Sequence, residues 1–178
     1  NTCLSTNPVD GMCVYSEYGA MPNWDVSNVT DMSNAFENRT TFNADISTWN
    51  VSSVTNMKRM FYSAGTFNAD ISAWNVSSVI NMERMFYNAD NFNRDIGSWD
   101  VSNVTNMMQL FANATVFNQP LDNWDVSLVE NMMNMFVSAK SFNQELDSWN
   151  VGLVENMEGM FGFAESFNKS LNSWNVSK

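Results

Sequence analysis

The sequence contains no histidine, and this absence narrows the chemistry that the chain can perform. Histidine is the commonest general base of enzymes and the commonest zinc ligand. The chain also has no nucleophile elbow and no isolated cluster of polar residues. We therefore expect no enzymatic activity, no catalytic residue and no cofactor.

Basic residues are scarce as well. Eight Lys and Arg stand against 19 Asp and Glu, which gives a formal net charge of −11. A nucleic-acid or anionic lipid surface calls for a basic protein, so both are disfavoured as partners. No apolar run reaches about 18 residues, so we expect no membrane insertion. A basic protein partner remains compatible with this charge.

Only two cysteines occur, Cys3 and Cys13, and both precede the repeats described below. A disulfide between them would staple the N-terminus and imply an oxidising compartment. The alternative is two unpaired thiols. The chain begins with Asn1 rather than Met and shows no signal peptide, which we interpret as a mature or excised segment. We assign residues 1–20 to an N-terminal cap.

The rest of the chain repeats with a strict period of 25 residues. The string "WNVSSVTNM" at residues 49–57 returns as "WNVSSVINM" at 74–82 and "WDVSNVTNM" at 99–107. A fixed period in the range of roughly 20–50 residues is typical of repeat proteins. Residues 21–178 are therefore predicted to form a solenoid of six repeats and a partial copy. The tryptophans, all predicted to lie in the core, are Trp24, Trp49, Trp74, Trp99, Trp124, Trp149 and Trp174.

One repeat, residues 42–66, predicts one short helix and one short strand. Val54, Met57, Met60, Phe61 and Ala64 are spaced as the apolar stripe of a helix at 53–64. Ser52 takes the N-cap position before it, and in the fifth copy Ser127 and Glu130 form a capping box. Residues 46–51 suit a short strand or extended arc. The predicted fold class is α/β, with a strand and a helix in each coil.

Asparagine follows the second phenylalanine of each repeat and forms a column of its own. We expect each Asn side chain to hydrogen-bond the backbone of the neighbouring coil. The methionine column is assigned to the core rather than to a metal site. The Asn residues are Asn43, Asn68, Asn93, Asn118, Asn143 and Asn168, and the methionines are Met32, Met57, Met82, Met107, Met132 and Met157.

These motifs resemble the repeat of the BspA-like bacterial surface proteins over residues 21–178. The matching elements are F-N-x-D/E-I/L, W-N/D-V-S, V-x-N-M and M-F at fixed offsets. The resemblance implies a leucine-rich-repeat-like solenoid that is exported and displayed at a cell surface. It also implies adhesion or binding to proteins or cells, and it brings no catalytic residues.

A column of carboxylates offers the only candidate for a metal. Asp45, Asp70, Asp95 and Glu145 recur at one offset of the repeat. Stacked carboxylates repel one another, and a bound calcium ion would relieve this repulsion. Pro120 interrupts the column and no calcium-loop signature is present. We therefore favour the alternative, in which each Asp accepts backbone N–H bonds within its own turn, and assign no metal.

Eight Asn-x-Ser/Thr sequons are candidate N-glycosylation sites. If the source organism does not glycosylate such sequons, these Asn residues have only a structural role. If it secretes the protein through a glycosylating pathway, several of them carry glycans. The loop after the predicted helix contains two of them, Asn38 and Asn113, the best acceptors. The eight are Asn28, Asn38, Asn50, Asn75, Asn103, Asn113, Asn168 and Asn175.

Together these observations predict a non-enzymatic, extracellular, cell-surface adhesion module that binds proteins or cell-surface components. Binding would use the strand arc and the acidic outer face. The alternative is a structural subunit of an extracellular filament. The repeat stops within a copy at Lys178, and an uncapped end exposes its core. Either copies assemble head to tail, or the chain is a fragment of a longer array.

Overall fold

The computed structural model of the chain describes residue 9 and residues 20–177. Within that part of the chain the one regular element is a 3₁₀ helix, Met21–Asn23, which Pro22 opens. No α-helix and no β-strand occurs from residue 20 to residue 177. The described residues accordingly contain no helix that is long and apolar enough to cross a membrane.

The repeats stack as coils, each lying on the one before it. We number the coils from the first described one: coil 1 (20–41), coil 2 (42–66), coil 3 (67–91), coil 4 (92–116), coil 5 (117–141), coil 6 (142–166) and a partial coil 7 (167–177). One isolated parallel bridge joins each neighbouring pair among the first six. The bridges are Asp31↔Asn56, Asn56↔Asn81, Asn81↔Asn106, Asn106↔Asn131 and Asn131↔Asn156.

The prediction of an α/β solenoid with a helix in each coil was wrong. Where a helix was expected at 53–64, Arg59 has φ 56° and Ser63 has φ 53°. A left-handed residue cannot continue a right-handed helix, and here one occurs every four residues. The same two positions are left-handed in coils 1 to 6. They are occupied by Asn34, Asn38, Arg84, Asn88, Gln109, Asn113, Asn134, Ser138, Gly159 and Phe163 in the other coils.

We call the segment 57–64 and its equivalents the turn wall, because it consists of consecutive turns. Its backbone N–H groups alternate between two kinds of acceptor. Met60 and Tyr62 donate to the carbonyls three residues earlier, at 3.1 and 3.2 Å. Arg59 and Phe61 donate to the carbonyls of Glu83 and Met85 in the next coil, at 2.8 and 2.9 Å. Backbone groups are thus satisfied without a helix or a sheet.

The apolar stripe was read correctly even though the helix was not. Val54, Met57, Met60, Phe61 and Ala64 are all 0% exposed. In the turn wall two residues face inward and the next two face outward, which gives a period of four. Apolar spacings of three, four and seven residues fit this period as well as they fit the 3.6-residue helix.

The short strand predicted at 46–51 is also absent. The Trp49 N–H donates to the Ile46 carbonyl at 3.1 Å, which closes a turn inside that segment. Ser52 caps no helix: its N–H and hydroxyl both donate to Asn50 Oδ1, at 3.2 and 2.7 Å. The predicted capping box fails for the same reason, because the Ser127 N–H donates to Asp125 Oδ1 at 3.0 Å.

The core is a set of stacked aromatic columns. Phe61 of coil 2 lies 5.7 Å from Phe86 and 3.8 Å from Phe67, both in coil 3, measured between ring centroids. Phe67 stacks on Phe92 at 5.9 Å. Each coil alone could bury little, so every coil depends on its neighbours for a dry core. The buried rings each contribute roughly 1.5–3 kcal/mol by transfer from water.

Candidate functional site

The tryptophans are structural, and their indole N–H groups tie neighbouring coils together. The Trp74 Nε1 donates to the Ile46 carbonyl of the preceding coil at 3.0 Å, and the Trp99 Nε1 donates to the Ile71 carbonyl at 3.1 Å. A buried indole N–H needs such a partner. Trp49, Trp74, Trp99, Trp124 and Trp149 are buried, whereas Trp24 and Trp174 in the outermost coils are partly buried.

The asparagine column hydrogen-bonds from coil to coil, as the sequence predicted. Asn43 Oδ1 accepts the backbone N–H of Asn68 at 2.7 Å, and Asn68 Oδ1 accepts that of Asn93 at 3.1 Å. The series continues through Asn118 and Asn143 to Asn168. These side chains serve the scaffold, because each Oδ1 satisfies a backbone N–H of the next coil.

The carboxylates predicted as a column lie on what we call the Asx-turn edge, residues 45–52 and their equivalents in coils 3 to 6. Asp45 Oδ1 accepts the N–H and the hydroxyl of Ser47, at 3.0 and 2.7 Å. Asp70 holds Ser72 in the same way, and Asp95 accepts the Gly97 N–H at 3.0 Å. The side chains are exposed, and each is fixed by its own turn.

These turns lower the pKa of several Asp side chains. The Ser47 hydroxyl and then its N–H hold the pKa of Asp45 below its ordinary value, because both bonds favour the charged carboxylate. The Ser72 N–H and hydroxyl lower the pKa of Asp70. Ser27 and Ser127 lower the pKa of Asp25 and Asp125 through the same two bonds. Asp45, Asp70 and Asp125 on the edge therefore stay charged to a lower pH than a free Asp side chain does.

The calcium candidates Asp45, Asp70 and Asp95 do not converge on one point. Among the residues that the structure describes, no three Asp, Glu, His or Cys side chains form a group able to hold a metal ion. Glu145 instead pairs with the Lys169 Nζ at 2.8 Å. The edge is thus an array of single carboxylates with its own turn bonds.

The sequons lie on the surface of the stack. Asn50 and Asn75 sit in Asx turns, where Oδ1 accepts from the serine of the same sequon. Asn113 is half-buried with φ 58°, and its Nδ2 donates to Asn88 Oδ1 at 2.8 Å. The other seven sequon residues, Asn28, Asn38, Asn50, Asn75, Asn103, Asn168 and Asn175, are exposed. Whether any carries a glycan stays a prediction.

The outward side of the turn wall is a surface that the sequence analysis missed. Its side chains come from the columns of Lys58, Arg59, Tyr62 and Ser63. Arg59 lies over the Tyr62 ring at 4.3 Å from its centroid, and Tyr62 stacks on Tyr87 at 4.8 Å. In coils 5 and 6 the same columns hold Met133, Asn134, Val137, Gly159 and Gly162 instead.

Ion pairs surround the two tyrosines of the wall. Arg59 pairs with Glu37 at 2.5 Å, and Lys58 pairs with Glu83 at 2.8 Å. The Arg84 Nε donates to Gln109 Oε1 at 2.7 Å. The signal that could have revealed this surface was present in the sequence, since the outward columns change from copy to copy while the inward columns do not.

Two cavities lie at the two ends of the described stack. One of about 410 Å³ is lined by Met160, Phe161, Leu171 and Trp174, among others. The other, of about 380 Å³, is lined by Met21, Trp24, Phe36 and Trp49, among others. Each cavity is the side of a coil that a further coil would cover inside the stack. Cys3 and Cys13, with most of the predicted cap 1–20, lie outside the described residues.

Comparison with known families identifies two tandem matches, over residues 12–107 and 91–178, to DUF285, described as a Mycoplasma protein of unknown function. The chain belongs to the DUF285 family. The two matches overlap and together take in nearly the whole chain, as expected when one repeat unit recurs throughout. A search of curated proteins found no match.

Proposed function

We propose that the chain is a non-enzymatic binding scaffold, displayed outside the cell at its surface, that attaches to basic regions of proteins or cell-surface components. The resemblance of its motifs to the BspA-like surface repeat supports display and adhesion. Membership of a family of tandem-repeat proteins agrees with a scaffold role. The stack offers a long surface rather than one pocket, which suits many weak contacts.

The single observation that carries the proposal is the fixed array of carboxylates along the Asx-turn edge. Asp45, Asp70 and Asp95 follow one another in coils 2, 3 and 4, each exposed and each held by its own turn. Side chains that are already ordered lose little entropy when a partner binds. Fixed charges of one sign also speed encounter with a partner of the other sign.

Charge is concentrated on this edge relative to the rest of the chain. Nine of the 19 acidic residues lie on the edge columns or beside the tryptophans, namely Asp25, Asp45, Asp70, Asp95, Asp100, Asp122, Asp125, Glu145 and Asp147. Two basic residues lie beside them: Arg94 precedes Asp95 in sequence, and Lys169 pairs with Glu145 at 2.8 Å. A basic partner therefore meets most of the net charge of the chain on one side.

The test uses substitution of Asp45, Asp70 and Asp95 by Asn together. Asn keeps the turn, because Asn50 and Asn75 already accept from serine in the same geometry. Beads coated with the wild-type chain should bind cultured cells or matrix proteins, and the triple variant should bind several-fold less at 0.15 M salt, where exposed charges are screened beyond about 8 Å. Lys140→Gln serves as a control away from the edge. Equal binding by all three, or no binding at all, would contradict the proposal.

A second candidate is a filament built head to tail, and the polarity of the turn wall favours it. Every second wall N–H donates to the next coil, so the stack has one direction, which a head-to-tail contact would continue. The partly buried Phe161, Phe167 and Trp174 would be covered by such a contact. A following coil of the same chain would cover them equally well. Electron microscopy separates the outcomes: long uniform filaments support assembly, and isolated short rods contradict it.

A further inference from the structure

The side chains on the outward side of the turn wall are larger at one end of the stack than at the other. In the column of Tyr62 the side chains of coils 2 to 6 are Tyr, Tyr, Ala, Val and Gly. In the column of Arg59 they are Arg, Arg, Gln, Asn and Gly. The residues are Tyr62, Tyr87, Ala112, Val137 and Gly162 in the first column, and Arg59, Arg84, Gln109, Asn134 and Gly159 in the second. One end of the wall is therefore raised and the other is hollow.

Charge and apolarity change along the wall in the same sense. Lys58 and Arg59, with side chains 40% and 31% exposed, make the wall of coil 2 basic, whereas in coil 3 Arg84 lies beside Glu83. In coil 6 the column of Lys58 holds the exposed Glu158. The column of Ser63 ends in Phe163, which is 81% exposed and has φ 57°. This position is left-handed in all six coils, so Phe163 is distinguished by its size and its exposure rather than by its backbone.

We propose that this wall is the contact surface of an antiparallel dimer of the chain. A twofold axis along the wall of coil 4 places coil 2 against coil 6 of the second copy and coil 3 against coil 5. Each column then faces itself in reverse order, as an isologous interface requires. Met108, which is half-buried, faces Met108 of the second copy on the axis.

This register pairs large side chains with small ones and opposite charges with each other. Tyr62 faces Gly162, and Arg59 faces Gly159, so the raised end fills the hollow end. Lys58 faces Glu158, and Ser63 faces Phe163. Tyr87 faces Val137, an aromatic ring against an aliphatic side chain. A register with coil 2 against coil 5 would also place both tyrosines opposite smaller residues, Val137 and Ala112. That register sets Lys58 opposite Met133, so the charge pair of Lys58 and Glu158 selects the register proposed here.

The interface is expected to be weak. Five coils at about 5 Å each give a contact about 25 Å long, which is short for a stable interface of about 800 Å² on each partner. Burial of Tyr62, Tyr87, Met108 and Phe163 supplies the attraction, and the pair of Lys58 and Glu158 fixes the register. The net charge of −11 opposes association at low salt, so the dimer should form best at moderate ionic strength.

Sedimentation equilibrium of the full chain at 0.15 M salt tests the proposal, with a monomer–dimer equilibrium expected at micromolar concentration. Glu158→Lys should weaken the dimer by about tenfold, and Glu158→Gln should weaken it less. Lys58 is left unchanged, because it also pairs with Glu83 of its own chain at 2.8 Å. Lys140→Glu is the control, because Lys140 pairs with Glu165 away from the outward wall columns. A monomer at every concentration, or a dimer that Glu158→Lys does not weaken, would overturn the proposal.

A crosslinking pair tests the position of the axis independently. With Met108→Cys, the two introduced thiols meet on the axis, so mild oxidation should give a covalent dimer that wild type does not form. Met133→Cys lies one coil away, where it faces Glu83 of the second copy, so it should link several-fold less. Equal linking of both variants, or none by Met108→Cys, would contradict the register. Cys3 and Cys13 are present in all three proteins, and wild type accounts for them.

Discussion

The turn wall and the Asx-turn edge are both built from turns, yet their hydrogen bonds go to different places. Every second N–H of the wall donates to the next coil, as from Phe61 to Met85. On the edge, the Ser47 N–H donates to Asp45 of the same turn. The backbone of the wall therefore couples coils, whereas the Asx turns of the edge stabilise each coil locally and the tryptophan Nε1 of the edge reaches the preceding coil. This difference explains why the edge tolerates Pro120 and Ser170 in the Asp column.

The largest effect should come from the core behind the wall. Phe86 is 0% exposed and stacks on Phe61, Phe92 and Phe111. Phe86→Ala should lower the free energy of unfolding by about 3–5 kcal/mol, because it leaves a cavity between three coils. Urea denaturation measures it.

The matched control for that substitution is Phe161→Ala in coil 6. Phe161 occupies the same column but is only partly buried. Its loss should cost clearly less than the loss of Phe86. An equal cost at both positions would mean that the coils do not depend on being covered from both sides.

The turn wall shows which parts of this fold the sequence could predict. The period, the inward columns and the asparagine series followed from spacing alone, because burial and stacking repeat with the sequence. The left-handed positions did not, since Arg59, Arg84 and Gln109 carry no preference for that conformation. Asn34, Asn134 and Gly159 in the same column do favour it. Read together, they contained a signal against a helix.

The candidate surfaces were predictable to different degrees. The turn bonds of Asp45 and Asp70 are local, within two residues, and local sequence preferences predict such bonds well. The outward wall surface depends on which side chains meet across coils. Tyr62 stacks on Tyr87 only if the coils are in the 25-residue register and both side chains point outward. In a helix, the side chains of the neighbouring columns would point in other directions.

The tryptophans of the edge donate their Nε1–H to a backbone carbonyl of the preceding coil. Removing one of these hydrogen bonds should have the next largest effect on the free energy of unfolding. Trp99→Phe keeps an aromatic ring but removes the Nε1 donor to the Ile71 carbonyl at 3.1 Å. We expect a loss of about 1–3 kcal/mol, because the bond between the coils is lost and the smaller ring leaves space, although the Ile71 carbonyl keeps the Trp74 N–H as a donor at 3.1 Å. Thermal or urea unfolding measures it. An unchanged stability would show that the indole bond does not stabilise the stack.

A smaller effect, an increase in the free energy of unfolding, should follow when glycine replaces a left-handed residue of the wall and relieves its backbone strain. Ser138 has φ 56°, so Ser138→Gly should raise the free energy of unfolding by about 0.5–1 kcal/mol, less the extra entropy of glycine in the unfolded chain. Ser141 lies in the same coil and outside the left-handed positions. Ser141→Gly should destabilise the protein. If Ser138→Gly and Ser141→Gly change the free energy of unfolding in the same direction, the prediction is wrong.

The smallest effect at neutral pH should come from the edge. The lowered pKa values of Asp45, Asp70 and Asp125 mean that their turns add stability that is fully present above the unfolded value of about 3.9. That stability is lost as the pH falls through the lower folded values. Replacing the three by Asn should leave stability at pH 7 nearly unchanged and reduce its loss in acid. Urea midpoints from pH 7 to pH 2.5 measure this, and an unaltered acid loss would contradict it.

The central claim, that consecutive turns replace the helix, is tested most directly by scalar couplings across hydrogen bonds in an NMR experiment on labelled protein. The Phe61 amide nitrogen should couple to the carbonyl carbon of Met85 in the next coil, to which its N–H donates at 2.9 Å. A helix would instead couple Phe61 to Met57, four residues earlier. Coupling to Met85 supports the turn wall, and coupling to Met57 would contradict it.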